Sequence, residues 1–145
     1  TTLLAEYLKK FKVYAHYNKE QVHHWLLPRK GVVYSYVVEN NEHKITDFIS
    51  FYMVPTAFKD HPQHKKIFCT YSFFNVANSV TFKELIKNAL ILTKLNKFDV
   101  FYCFNNMEMG TVFEDLRFDT FNMNLKFYFH NFIFLTSKNA FRILK

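Results

Sequence analysis

Apolar residues at the start of the chain, Leu3, Leu4, Tyr7, Leu8 and Phe11, recur at intervals of three and four. Residues 2–12 therefore predict an amphipathic helix with Lys9, Lys10 and Lys12 turned outward. Asn18 is placed to cap a second short helix, KEQVHHWL, which Pro28 ends. The pattern then changes to runs rich in β-branched and aromatic residues. VVYSYVVE (32–39), the turn-prone ENNEHK and ITDFISFYMV (45–54) predict an antiparallel hairpin whose second strand stops at Pro55. Both strands are apolar on both faces, as in a sheet covered on each side. A polar loop, KDHPQHKK, leads to a strand over 68–76. Thr81 opens a helix with Glu84 as its capping-box partner, and Leu85, Ala89, Leu92 and Leu95 form its apolar stripe. Phe98–Phe104 predicts a short buried strand, 111–118 a short helix and LKFYFHNFIFL (125–135) a long strand, followed by the apolar tail AFRIL. No repeat or linker interrupts this order. Residues 1–145 are expected to form one α+β domain, a mixed, mostly antiparallel sheet with helices on its faces.

Within the second strand, alternation puts Phe48, Ser50 and Tyr52 on one face and Ile49, Phe51 and Met53 on the other. Phe51, Phe73 and Phe74 can then serve a core, while Tyr52 and Tyr71 offer a ring with a polar tip to a ligand. The competing reading is that both tyrosines are core residues with satisfied hydroxyls.

Composition narrows the classes. A domain of this length buries roughly 68–70% of its extended-chain surface. Half the residues are hydrophobic and 21% charged, which argues against wholesale disorder. No apolar run reaches the ~18 residues of a membrane-spanning helix, so a soluble domain without a transmembrane segment is expected. The chain begins Thr1-Thr2 without a secretion-signal pattern and is expected to be a fragment. Cys69 and Cys103 lack CxxC spacing and predict reduced thiols in a cytoplasmic protein. The net charge of +7 raises a nucleic-acid partner. Lysines are dispersed, however, with 19 Phe and only 2 Gly beside them, a profile that A/T-biased coding also produces. A solvated surface is the better account, and no nucleic-acid partner is expected.

The candidate chemistry is sparse. His61 and His64 in HPQH could supply two metal ligands, but Pro62 breaks helical geometry and no Cys or second His pair is near, so no metal is expected. His23 and His24 point to different faces of a short helix. Ser72 lacks a nucleophile elbow, and the isolated Gly31 and Gly110 form no phosphate-cradling loop.

Taken in order, EQVHHWLLP, VVENNEHKITDFISFY, HPQHKK, YSFFNV, NALILTKLNKFDVF and NLKFYFHN resemble the C-terminal half of eukaryotic N-myristoyltransferase over essentially the whole chain. The resemblance implies a GNAT-like fold. It implies transfer of myristate from myristoyl-CoA to the α-amine of an N-terminal glycine, with acyl-CoA and the oxyanion hole belonging to an N-terminal half absent here. The C-terminal half forms much of the peptide groove and binds no cofactor of its own. Its partners would be proteins or peptides beginning with glycine. By this resemblance Tyr52, Tyr71 and Leu125 match groove residues, and Thr56 and Ile67 stand where the family usually has Ser and Leu. The carboxylate of Lys145 corresponds to the chain end that takes a proton from the attacking amine, whose pKa is about 7.7–8.0. The tail TSKNAFRILK is shorter than the usual ending and closes on lysine where an apolar residue is typical.

The signature KFGxGDG corresponds to Arg117, Phe118, Asp119, Thr120, Phe121, Asn122 and Met123, so its glycines and aspartate are missing. Side chains there narrow a groove, and Asn122 lacks the charge of Asp. Without oxyanion donors, which contribute about 10²–10³ in rate, the 145 residues alone are expected to transfer nothing. The alternative implied by these changes is a non-catalytic relic or peptide-binding module that keeps the fold.

Overall fold

The computed structural model describes residues 2–57, 66–121 and 125–126. Helix α1 spans Thr2–Leu8 and α2 spans Lys19–Leu26. Strands β1 (Val33–Glu39), β2 (Ile45–Ala57) and β3 (Lys66–Val76) follow, then α3 (Phe82–Leu95), β4 (Val100–Tyr102) and a 3₁₀ turn at Met109–Val112. The sheet order is β1-β2-β3-β4, antiparallel except for the parallel β3–β4 pair that α3 connects. The expected mixed, mostly antiparallel sheet is what forms. The strand expected over 125–135 lies, beyond Lys126, outside the described residues.

Local signals account for most boundaries. Asn18 caps α2 through a reciprocal box, its Oδ1 accepting from the Gln21 amide at 2.8 Å while Gln21 Oε1 accepts from the Asn18 amide at 2.9 Å. Thr81 Oγ1 accepts from the Glu84 amide at 3.2 Å and opens α3. The α3 stripe differs from expectation: Leu85, Ile86, Ala89 and Thr93 are buried, whereas Leu95 is 72% exposed. At ~100° per residue Leu95 falls half a turn away from Ile86, so it cannot share that residue's face. The predicted first helix is also shorter, closing at Leu8 rather than 12, with only 3₁₀-type amide bonds from Lys10 and Phe11 continuing it.

Strand β2 runs through Pro55 to Ala57 instead of stopping there. The amide of Met53 donates to Val32 O on the β1 side, and amides two apart point the same way. Pro55 therefore lacks its N–H on a side where β1 has already ended, and the proline costs the ladder nothing.

The predicted helix 111–118 is a 3₁₀ turn followed by a Schellman-type closure. The Phe118 amide donates to Phe113 O and the Arg117 amide to Glu114 O, with Arg117 at φ 56°. The end of α3 repeats this geometry with Lys97 at φ 60°. In a chain with 2 glycines, ordinary side chains occupy these left-handed positions. Lys97→Gly is expected to raise the stability by up to ~1 kcal/mol, because the αL penalty it removes exceeds the extra unfolded-state freedom. A urea midpoint unchanged or lower than wild type would contradict that strain.

The sheet has two packed faces. On one, Leu4, Tyr7, Leu8 and Leu26 of α1 and α2 cluster with Val76 and cover Phe48, Phe73 and Phe74. On the other, Leu85 and Ala89 of α3 meet Ile49, flanked by Tyr36 and Phe101, while Ile86 packs on Met109 and Val112. Coverage is incomplete at the β1 end, where Val37 and Val38 are exposed. Among the described residues, no helix is long and apolar enough to cross a membrane.

Candidate functional site

Register brings four of the candidate residues together. In the β2–β3 ladder Tyr52 stands directly opposite Tyr71 and Thr56 directly opposite Ile67. Positions 52 and 56, and 67 and 71, are an even number of residues apart, so both pairs occupy one face with Val54 and Cys69 between them. The Tyr52 and Tyr71 rings stack with centroids 5.5 Å apart and planes 15° from parallel. Both tyrosines, Thr56 and Ile67 are half-buried, and Cys69 is buried.

A third ring joins them. The parallel β3–β4 ladder sets Tyr71 beside Tyr102, with centroids 5.0 Å apart. Sequence reasoning missed Tyr102: alternation puts Val100 and Tyr102 on one face of a short strand but does not say which strand they stand beside. Burial pushes the Tyr71 phenol up, and the neighbouring Cys69, Tyr102 and Tyr52 groups add to it, so the ring keeps its proton and donates as well as accepts.

The strip is held in shape by a bulge. Ile49 pairs with Asn75 but Phe51 pairs with Ser72, so β3 places two residues, Phe73 and Phe74, opposite Ser50. Ser50 Oγ donates to Phe74 O at 3.1 Å and accepts from its amide at 3.0 Å, satisfying backbone groups that the ladder cannot reach. The bulge turns both phenylalanines toward α1 and α2, and Phe73 meets the edge of Tyr52 at 5.7 Å. The two rings expected in the core are there.

Support on the other face comes from Asp47. Its Oδ1 accepts from the amides of Asn78, Ser79 and Val80 at 2.7, 2.9 and 3.2 Å, and Oδ2 from the hydroxyls of Thr46 and Ser79. Burial alone raises a carboxyl, but these bonds, led by the Ser79 and Thr46 hydroxyls, outweigh it and hold Asp47 well below the usual carboxylate range. Asp47 thereby fixes the turn between β3 and α3.

Other candidates are not brought to the tyrosines by any described contact. Leu125, Asp119, Thr120 and Phe121 are exposed, Phe121 by 75%. Asn122, Met123 and Lys145 lie outside the described residues, as do His61 and His64. His23 and His24 are exposed on α2, and Ser72 Oγ accepts from Asn75 Nδ2 rather than from a base. Among the described residues no three His, Cys, Asp or Glu side chains gather as a metal site. Burial pushes Cys103 up to about 11, which keeps it an inert thiol at neutral pH. The clefts between α1 and residues 14–17 and between β1–β2 and α3 are lined by other residues than the tyrosine strip.

The sequence model of the family described as myristoyl-CoA:protein N-myristoyltransferase, C-terminal domain, matches residues 1–142. The chain belongs to that family. It is 45% identical over 130 residues to a probable glycylpeptide N-tetradecanoyltransferase of Caenorhabditis elegans, covering 89% of this chain and 29% of that protein. It is 40% identical over 129 residues to glycylpeptide N-tetradecanoyltransferase 2 of Bos taurus, covering 89% of this chain and 26% of the relative. The chain thus spans less than a third of the length of these relatives. Among solved structures it superposes on Saccharomyces cerevisiae N-myristoyltransferase with bound myristoyl-CoA at a TM-score of 0.68 and 24% identity, over 80% of this chain and 31% of that one. A Trypanosoma brucei acetyltransferase superposes at 0.54 with 10% identity, over 69% of this chain and 71% of that one. These likenesses establish a GNAT-like α+β fold for this C-terminal N-myristoyltransferase domain.

Proposed function

We propose that this domain is the peptide-binding half of a glycylpeptide N-myristoyltransferase acting in the cytoplasm. The complete enzyme would move myristate from myristoyl-CoA to the α-amine of an N-terminal glycine. One observation carries the reading: Tyr52 and Tyr71, and Thr56 and Ile67, stand as two directly opposed pairs on one half-buried strip. Stacked rings with hydroxyl tips give apolar contact area at low entropy cost together with hydrogen-bonding groups for a peptide backbone. The acyl donor belongs to the part of the enzyme outside this domain, and the peptide's glycine must be deprotonated before attack. Leu125 is a further wall of the peptide site in this reading.

The test is a calorimetric titration of the 145-residue chain with a glycine-initiated octapeptide. Tyr71→Ala is expected to weaken binding about tenfold or more, as central aromatic anchors do, with an unchanged circular-dichroism spectrum. Equal affinity in both proteins, or binding by neither, would remove the tyrosine strip from recognition.

A second reading, a non-catalytic peptide-binding module, draws on the side chains of Asp119, Thr120 and Phe121 at positions where the resemblance leads one to expect a glycine-rich turn. It differs in outcome: a complete protein that binds glycine-initiated peptide yet transfers no myristate would favour the module.

A further inference from the structure

Tyr102 extends the opposed pair into a row across three strands, Tyr52, Tyr71 and Tyr102, roughly two strand spacings or ~10 Å long. The ring planes turn by 15° and then 31°, so Tyr71 has a tyrosine ring on each side, whereas Tyr102 closes the row with Tyr71 as its described ring neighbour. Between and beside the rings on this face lie Val54, Cys69 and Val100, with Thr56 and Ile67 at the far end. None of these positions is Asp, Glu, Lys, Arg or His, in a chain with 19 Lys and Arg and 12 Asp and Glu. A carboxylate laid over the row would lose water and gain no counter-charge from it, and an ammonium would recover only the modest attraction of a ring-face contact. An aliphatic or aromatic side chain would lose nothing and gain ring-edge contact.

We infer that Tyr102 is a specificity-determining residue of the peptide site, selecting an uncharged apolar or aromatic side chain in the peptide segment that crosses β4. The inference rests on the peptide-binding reading of the same strip and adds to it the residue and the class of side chain read. Tyr71 serves both halves of the row, whereas Tyr102 touches only Tyr71 among the stacked tyrosines described. Removing Tyr102 therefore leaves the Tyr52–Tyr71 pair in place.

The experiment uses alanine-based octapeptides with N-terminal glycine, carrying a single Phe or a single Lys at each later position in turn. These are titrated into the 145-residue wild type, Tyr102→Ala, Tyr102→Phe and Tyr71→Ala. At one position Phe should bind about three- to tenfold more tightly than Lys, the range expected of one aromatic contact. Tyr102→Ala should abolish that preference, and Tyr102→Phe should keep it, because the ring makes the contact. A merely structural role for Tyr102 would weaken all peptides alike and leave the preference intact, which would overturn the inference. If Tyr71→Ala still weakens binding about tenfold or more in that case, the peptide site stands without Tyr102 as its selector. Failure of every peptide to bind wild type would overturn both readings.

Discussion

Asp47→Ala is expected to lower the folding free energy by about 3 kcal/mol, read as a fall in the urea midpoint at unchanged slope. The carboxylate accepts from three consecutive amides and two hydroxyls, so its removal leaves Asn78, Ser79 and Val80 without their acceptor. Each unsatisfied buried donor costs about 1–3 kcal/mol, and the exposure of Asn78 and Ser79 lets water repair part of the loss. The same group gives an acid signature. Its folded pKa lies below the unfolded value of ~3.9, so its contribution is complete above that pH and is lost as pH falls further. Asp47→Asn should flatten the acid limb of the stability curve relative to wild type. An acid limb of the same slope in both proteins would show that Asp47 is not linked to folding in this way.

That carboxylate illustrates what was legible in the sequence and what was not. The capped starts of α2 and α3 were readable because Asn18 and Thr81 act within one turn of the residues they serve, although the box expected of Glu84 does not form and only its amide is used. The strands were readable from their aromatic and β-branched runs. The clamp from Asp47 to residues 78–80 spans more than 30 positions and follows no local spacing. The bulge at Phe73 and Phe74 is equally silent, since a run of aromatics carries no alternation to show where a residue is inserted. Pro55 misled for a related reason: whether a missing N–H matters depends on where β1 ends, not on β2 itself. At the site, resemblance named Tyr52, Tyr71, Thr56 and Ile67, and only the β2–β3 register made them opposed pairs. Eight positions separate Ala57 from Lys66 in the sequence, so no two-residue hairpin signal sets that register. Tyr102 stayed hidden because a parallel partner reached through α3 cannot be registered from spacing.

The division between the two faces yields the sharpest contrast, at neighbouring residues. Phe51 is fully buried and lies among Tyr34, Tyr36, Phe98 and Phe101, with centroids 5.6 to 6.5 Å away. Phe51→Ala is expected to cost about 3–5 kcal/mol, from lost transfer energy plus the cavity left between β1, β2 and β4. Tyr52, one residue on, points to the opposite face, is half-buried and shares its contacts with Tyr71 and Phe73. Tyr52→Ala should cost only about 1–2 kcal/mol of stability, the ordinary range for a partly exposed site. Its larger effect should be on glycine-initiated peptide, with affinity falling about tenfold. For Phe51→Ala, peptide affinity measured on the fraction still folded should stay within about threefold of wild type, because the residue faces α3 and not the strip. Urea unfolding and peptide titration on the same two variants decide the matter. If Tyr52→Ala proves as destabilising as Phe51→Ala and leaves peptide affinity untouched, Tyr52 belongs to the core, and recognition must be sought away from the β2–β3 strip.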